Sequence, residues 1–193
     1  YSALRVRHNI RSAEEEESEI ALCRAICDAR NIPFASVSGE MDARGGPEQA
    51  ARRLRYRLFE KYAEEESIFA VLLAHNLDDN RETLLMRFFS GSGPEGLRGI
   101  PRHRGLFCRP LLDVPGEKLK AYLRNRDVPW SEDASNSRDD YLRNRVRHQL
   151  VPVIEEVFPG WDAAAESLLR RSHQAASQLD NDMRRELPTD RDG

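Results

Sequence analysis

Ile68-Phe69-Ala70-Val71-Leu72-Leu73 is an unbroken apolar run that leads, through Ala74, into His75-Asn76-Leu77-Asp78-Asp79-Asn80-Arg81-Glu82-Thr83. A short continuous apolar run reads as a strand buried on both faces, because alternation appears only where one face meets water. The polar cluster that follows opens a helix expected over 80–89, and Gly91, Gly93, Gly96 and Gly99 break it. A strand that feeds directly into a helix is the repeating unit of a parallel α/β sheet. In such sheets ligands bind at the carboxyl ends of the strands, where His75 to Asp79 lie.

The same alternation extends towards the N-terminus. Residues 3–8 read as a strand, and Ser12-Ala13-Glu14-Glu15 as a capping-box-like helix start, followed by Ile20, Leu22, Cys23, Ile26 and Ala29 at helical spacing. Residues 32–37 form the next strand, with Pro33 tolerable at its beginning. A Gly-rich loop over 39–46 then leads to a helix from Pro47, well placed in a first turn, to Glu65. Strand and helix thus alternate three times, which predicts an α/β domain with a parallel sheet. Beyond Gly99 the pattern changes. A strand or extended segment is expected at 106–112 and a helix at 114–126, followed by a polar loop at 130–139. Residues 141–157 read as mostly helical despite Pro152, and 161–186 as a charged amphipathic helix.

Composition narrows the function classes. Of 193 residues a third are charged, with 30 Lys/Arg against 33 Asp/Glu and a net charge of -3; mean hydropathy is -0.68. No apolar run is long enough for a membrane span, and no leader peptide is expected. Cys23, Cys27 and Cys108 are odd in number and lack CxxC spacing, which argues against a disulfide framework or zinc ribbon and fits buried thiols in a reducing cytoplasm. Residues 101–150 hold 11 Lys/Arg and 7 Asp/Glu, a local balance of +4 against -7 elsewhere. A basic segment in an acidic chain suits a phosphate-rich partner, although a solvated face would look the same.

Four constellations carry candidate chemistry. Asp79 and Glu82 are three apart on a helix, so their carboxylates share a face and can hold an ammonium group or take a proton from an amine. The plainer reading is helix capping by Asp78 or Asp79 with Glu82 as the reciprocal partner. Arg52 and Arg55 share a face as a two-pronged phosphate grip would need, or form a solvated cationic surface. Arg143 and Arg147 lie one turn apart with Asn144 beside them. Such like charges call for an anion, or for salt bridges to Glu132, Asp133 and Asp139. His8, at the end of the first strand, is a weak candidate alone. No metal site is expected, because His75 and Asp79 have no further ligand pair.

Together these stretches resemble the tRNA(Ile) lysidine synthetases, a family of PP-loop ATPases, in order and spacing over about residues 3–158. His8-Asn9-Ile10-Arg11 is similar to the family's HGLR, and Glu48-x-x-Ala51-Arg52-x-x-Arg55-Tyr56 to its ExxARxxRY. His75 to Thr83 is similar to HHxDDxxET, Gly91-Ser92-Gly93-x-x-Gly96-Leu97 to GSGxxGL, and Arg109-Pro110-Leu111-Leu112 to RPLL. Trp130-x-Glu132-Asp133-x-Ser135-Asn136 with Arg143-Asn144-x-x-Arg147 is similar to WxEDxSN followed by RNxxR. Asn9 and Ile10 replace Gly and Leu, Asn76 replaces a His, and Ala134 stands where Pro is frequent. The family's SGGxDS phosphate loop has no counterpart, since Gly45-Gly46-Pro47 lacks the Ser and Asp.

The resemblance implies a Rossmann-like PP-loop core at 1–100, the rest of the catalytic domain at 101–158, and a linker helix at 159–193. It implies a cytoplasmic ligase that joins L-lysine to C2 of the wobble cytidine of tRNA(Ile) with a CAU anticodon, using ATP with Mg2+ through an adenylated cytidine. A homodimer is an expected arrangement. By the same resemblance Asp79, Glu82 and Arg147 are catalytic, and Asp78, Asp79 and Glu82 hold lysine. His8, Arg52, Arg55 and His75 serve ATP, and Arg143, Asn144 and Arg147 contact tRNA phosphates. The chain is expected to be a piece lacking the phosphate loop and a C-terminal domain, and inactive alone. A non-catalytic tRNA-binding remnant and another PP-loop tRNA-modifying enzyme are the alternatives.

Overall fold

A computed structural model of the chain describes residues 1–7, 13–42, 46–131 and 141–186. In chain order the elements are β1 (Ala3–Arg7), α1 (Ala13–Asp28), β2 (Phe34–Ser38), α2 (Pro47–Glu65), β3 (Val71–Leu72) and α3 (Leu77–Phe89). A 3-10 turn at Gly96–Arg98 precedes β4 (His103–Arg104), β5 (Phe107–Cys108) and α4 (Gly116–Arg124). Then come α5 (Leu142–Arg145), a π turn at Val146–Leu150, α6 (Val151–Val157) and α7 (Trp161–Glu186). The chain forms two compact units. The first comprises Tyr1–Leu73, Gly105–Cys108 and Glu117–Ser135; the second comprises Ala74–Arg104, Arg109–Gly116 and Asn136–Gly193.

The first unit is the α/β part. β1 and β2 pair in parallel, with Val6 opposite Val37 and Leu4 opposite Ala35, as a strand–helix–strand crossover through α1 requires. Helix α2 follows Gly46, whose φ of 81° favours glycine, and Pro47 occupies its first turn. Its buried positions Ala50, Ala51, Leu54 and Ala63 recur at helical spacing, and Leu54 is almost fully enclosed. Val6, Phe59 and Phe107 form the core, with Leu4, Val37, Tyr56, Val71 and Leu73 packed around them. The Tyr56 and Phe107 rings meet edge-to-face at 4.7 Å between centroids. β3 pairs in parallel with β5, so both strand pairs described in this unit are parallel, as the alternating pattern predicts.

One expectation is corrected here. The run 68–73 read as a strand buried on both faces, yet regular pairing is confined to Val71–Leu72, with Phe69 96% and Leu72 70% exposed. Val71 and Leu73 turn inward on the two-residue period and join the core. Leu72 points to the other face, which remains exposed, and Phe69 precedes the paired residues.

The second unit is mainly helical. Leu84 of α3 packs on Ala165 and Leu169 of α7, with Leu97 and Trp161 beside them. Arg81 strengthens that seam by pairing with Glu166 and, at 3.6 Å, with Asp162. The glycines after α3 allow a tight return. A Cβ on Gly99 (φ 68°) would lie 2.3 Å from Asn80 Oδ1 and 2.5 Å from Leu169 Cδ2. Arg87 holds the return by donating to the carbonyls of Gly96 and Gly99. The helical stretch containing Pro152 proceeds through a π turn just before α6, and Pro152 falls at the start of α6, directly after that turn.

Candidate active site

The expected carboxylate pair is brought together at the start of α3. Asn76 is the N-cap: its side-chain oxygen accepts from Asp79 N at 3.1 Å, while Asp79 Oδ2 accepts from Asn76 N at 2.9 Å. The reciprocal box thus uses Asn76 and Asp79, leaving Glu82 for another task. Asp78 also has a structural contact, with Oδ2 accepting from Gly116 N at 3.0 Å and Oδ1 lying 3.7 Å from Arg81 Nη1.

Glu82 is the centre of the arrangement. Its side chain is 3% exposed; Oε1 accepts from Arg147 Nε at 2.6 Å, and Oε2 lies 3.4 Å from Arg143 Nε. Arg147 Nη2 also reaches 3.8 Å from Asp79 Oδ1. Arg143 donates to Thr83 Oγ1 at 3.0 Å, and that hydroxyl donates to the carbonyl of Asp79 at 2.8 Å. The like charges of Arg143 and Arg147 are therefore joined by the carboxylate of Glu82, 65 residues from Arg147 in the chain. Glu132, Asp133 and Asp139, the other partners considered, lie outside the described residues.

The electrostatics follow from burial. Desolvation pushes the Glu82 carboxyl above its ordinary 4.5; the hydrogen bond from Arg147 and the charges of both arginines pull it back without cancelling that rise. Burial also opposes the Arg147 charge, but the Glu82 hydrogen bond and the nearby carboxylates outweigh it and raise its pKa. Asp79 is the more accessible carboxylate, 21% exposed, and meets Arg147 only at long range.

The other expected residues fall as follows. His75 is half-buried ahead of α3, and Asn144 is buried on α5. Arg52 and Arg55 are exposed on α2 in the first unit, where Arg52 lies over the Tyr56 ring at 5.0 Å. His8 lies outside the described residues. Thr83 was not singled out from the sequence, although its place directly after Glu82 was a usable signal. Among the described residues no group of three or more His, Cys, Asp or Glu could hold a metal ion. No described helix is long and apolar enough to cross a membrane.

A family model described as a PP-loop domain matches residues 1–154. The chain belongs to the PP-loop family. Among curated PP-loop relatives, it is 41% identical over 175 residues to a tRNA(Ile)-lysidine synthase of Treponema denticola, covering 87% of this chain and 38% of that protein. It is 35% identical over 182 residues to the synthase of Borreliella burgdorferi strain ZS7, covering 91% and 41%. The Chromobacterium violaceum synthase is 33% identical over 193 residues, covering 96% and 43%. The chain therefore spans about two-fifths of the length of these relatives. Among solved structures, the U34-tRNA thiolase NcsA from Methanococcus maripaludis with its [4Fe-4S] cluster superposes with a TM-score of 0.69 at 17% identity. That match covers 90% of this chain and 60% of the thiolase. At that identity the likeness concerns the PP-loop fold alone.

Proposed function

We propose that this PP-loop chain belongs to an enzyme that joins L-lysine to C2 of the wobble cytidine in tRNA(Ile) with a CAU anticodon. The observation that carries this reading is an accessible carboxylate, Asp79, beside a buried carboxylate, Glu82, that is bridged to arginine. Relatives named tRNA(Ile)-lysidine synthase support the same chemistry.

In the first step the cytidine C2 oxygen attacks the α-phosphorus of ATP and pyrophosphate leaves. In the second, the lysine ε-amine attacks C2, AMP leaves with the former C2 oxygen, and the amine loses a proton. The product reads AUA. Mg2+ arrives with the nucleotide. Arg52 and Arg55 are assigned to the nucleotide phosphates, with His8 and His75 near the nucleotide.

The two carboxylates divide the work. Glu82, enclosed and held by Arg147 and Arg143, fixes the arginines and keeps Arg147 aimed at the charge that develops on adenylation. Asp79 receives the lysine ammonium, whose arrival displaces only the 3.8 Å contact with Arg147. Asp79 can then accept the proton that the amine gives up. Asp78, tied to the Gly116 N–H, adds negative charge rather than a direct ligand. Arg143 and Asn144 align the RNA backbone. The reaction is assigned to the cytoplasm.

The test is incorporation of labelled lysine into a tRNA(Ile) transcript by the intact protein, with ATP present or omitted. ATP-dependent labelling confined to the CAU transcript is the expected result. Labelling that ignores ATP, or its absence with active-site substitutions making no difference to tRNA binding, overturns the assignment.

A further inference from the structure

A cavity of about 440 Å³ opens in the second unit on the side of α3 away from Glu82. Leu77 and Asn80 line it from α3, and Glu82, two residues beyond Asn80, projects roughly 200° further round the helix. Its floor is apolar, built from Leu77, Leu112 and Leu169, and its wall carries Arg102 together with Arg170, His173 and Gln174 of α7. The last three are spaced at three and four residues, so they share one helical face.

Two carboxylates also line the cavity, but each is already engaged. Asp113 is ion-paired with Arg102, and Glu166 with Arg81. Arg170 has no carboxylate partner among the described residues. His173 faces Arg102, Arg98 and Asp113; burial, then Arg102, hold its pKa below the ordinary 6.5. The cavity therefore presents a guanidinium with no carboxylate partner among the described residues, and an imidazole that would gain a proton if an anion arrived.

We infer that this cavity binds a phosphate ester, its oxyanion held by Arg170 and His173 with help from Arg102 and Gln174. The volume lies within the range of small-ligand pockets and exceeds what bare phosphate would fill, so the apolar floor takes the remainder of a nucleotide-sized group. The same chemistry fits an RNA phosphodiester or a free nucleotide.

The experiment follows the His173 imidazole by NMR in the intact protein, its signals assigned with His173→Gln. Inorganic phosphate, AMP and a short RNA hairpin are titrated in turn. Phosphate and at least one ester should shift the His173 signals saturably and raise its pKa. Arg170→Gln, on an exposed face of α7, should weaken binding about tenfold without altering the melting temperature. A response to the hairpin that phosphate competes away identifies RNA backbone as the source; a response to AMP without the hairpin identifies a free nucleotide. No saturable shift with any probe, or equal affinity in Arg170→Gln, overturns the inference. Asp79→Asn should leave this response intact, so loss of lysine joining and loss of phosphate binding are read separately.

Discussion

Arg147 donates from Nε to Glu82 Oε1 across 2.6 Å, and this contact joins the helical stretch after residue 141 to the start of α3. Because Glu82 is enclosed while Arg147 remains 36% exposed, the contact serves two ends. It neutralises a buried carboxylate, and it leaves part of the guanidinium accessible to a substrate.

Removing the carboxylate exposes the first of those ends. Glu82→Ala leaves Arg143 and Arg147 close together without their shared anion and should cost about 2 kcal/mol of stability. Glu82→Gln keeps an acceptor for Arg147 and should cost less. Urea unfolding of both variants checks the order; equal stability of Glu82→Ala and wild type would remove the central role given to this residue.

Asp79→Asn separates chemistry from folding. Asparagine retains a side-chain oxygen for the reciprocal cap with Asn76, so stability should fall by less than about 1 kcal/mol. Losing the charge that meets the lysine ammonium should raise the KM for lysine or lower kcat, reducing kcat/KM for lysine by about 10- to 100-fold. Lysine kinetics at saturating ATP and tRNA provide the measurement. An unchanged kcat/KM would move the ammonium site elsewhere.

The raised pKa of Glu82 gives a pH dependence of defined sign. Since the folded value lies above 4.5, folding favours the protonated form. That stability is fully present below 4.5 and is lost as pH rises through the folded value. Glu82→Gln cannot titrate, so the stability advantage of wild type over this variant should shrink as pH rises from about 4 to about 7. Thermal melts of the two proteins across that interval decide it, and an advantage that grows with pH would mean the arginines outweigh desolvation.

How much of this was legible in the sequence depended on the range of the contacts involved. The bounds of α2 and α7 followed from local signals, Pro47 in a first turn and apolar spacing along 161–186. The shared face of Asp79 and Glu82 followed from helix geometry. That Arg143 and Arg147 need an anion was also readable, because like charges one turn apart repel. Which anion was not: Glu82 lies 65 residues from Arg147, whereas the acidic residues of 132–139 were closer in sequence. The N-cap was misplaced by a similar ambiguity. Asp78 and Asp79 both suit a cap by residue type, but Asn76 takes the position and Asp78 turns to the Gly116 N–H. Apolar character in 68–73 likewise revealed a strand without revealing which of its faces is covered.

The exposed apolar side chains at and just before β3 support the final prediction. β3 bonds to β5 through Val71 N–H to the Leu106 carbonyl and Leu73 N–H to the Cys108 carbonyl, while Phe69 and Leu72 present large apolar side chains to solvent. Exposed apolar strand residues promote pairing between copies. The 193-residue chain, prepared by itself, should therefore self-associate as its concentration rises. Leu72→Lys and Phe69→Lys place charge where the side chain already meets water, so each should raise the concentration at which association begins without lowering the melting temperature. Static light scattering over a dilution series measures the onset. A wild-type chain that stays monomeric throughout, or lysine variants that associate just as readily, would show that these exposed residues are not adhesive.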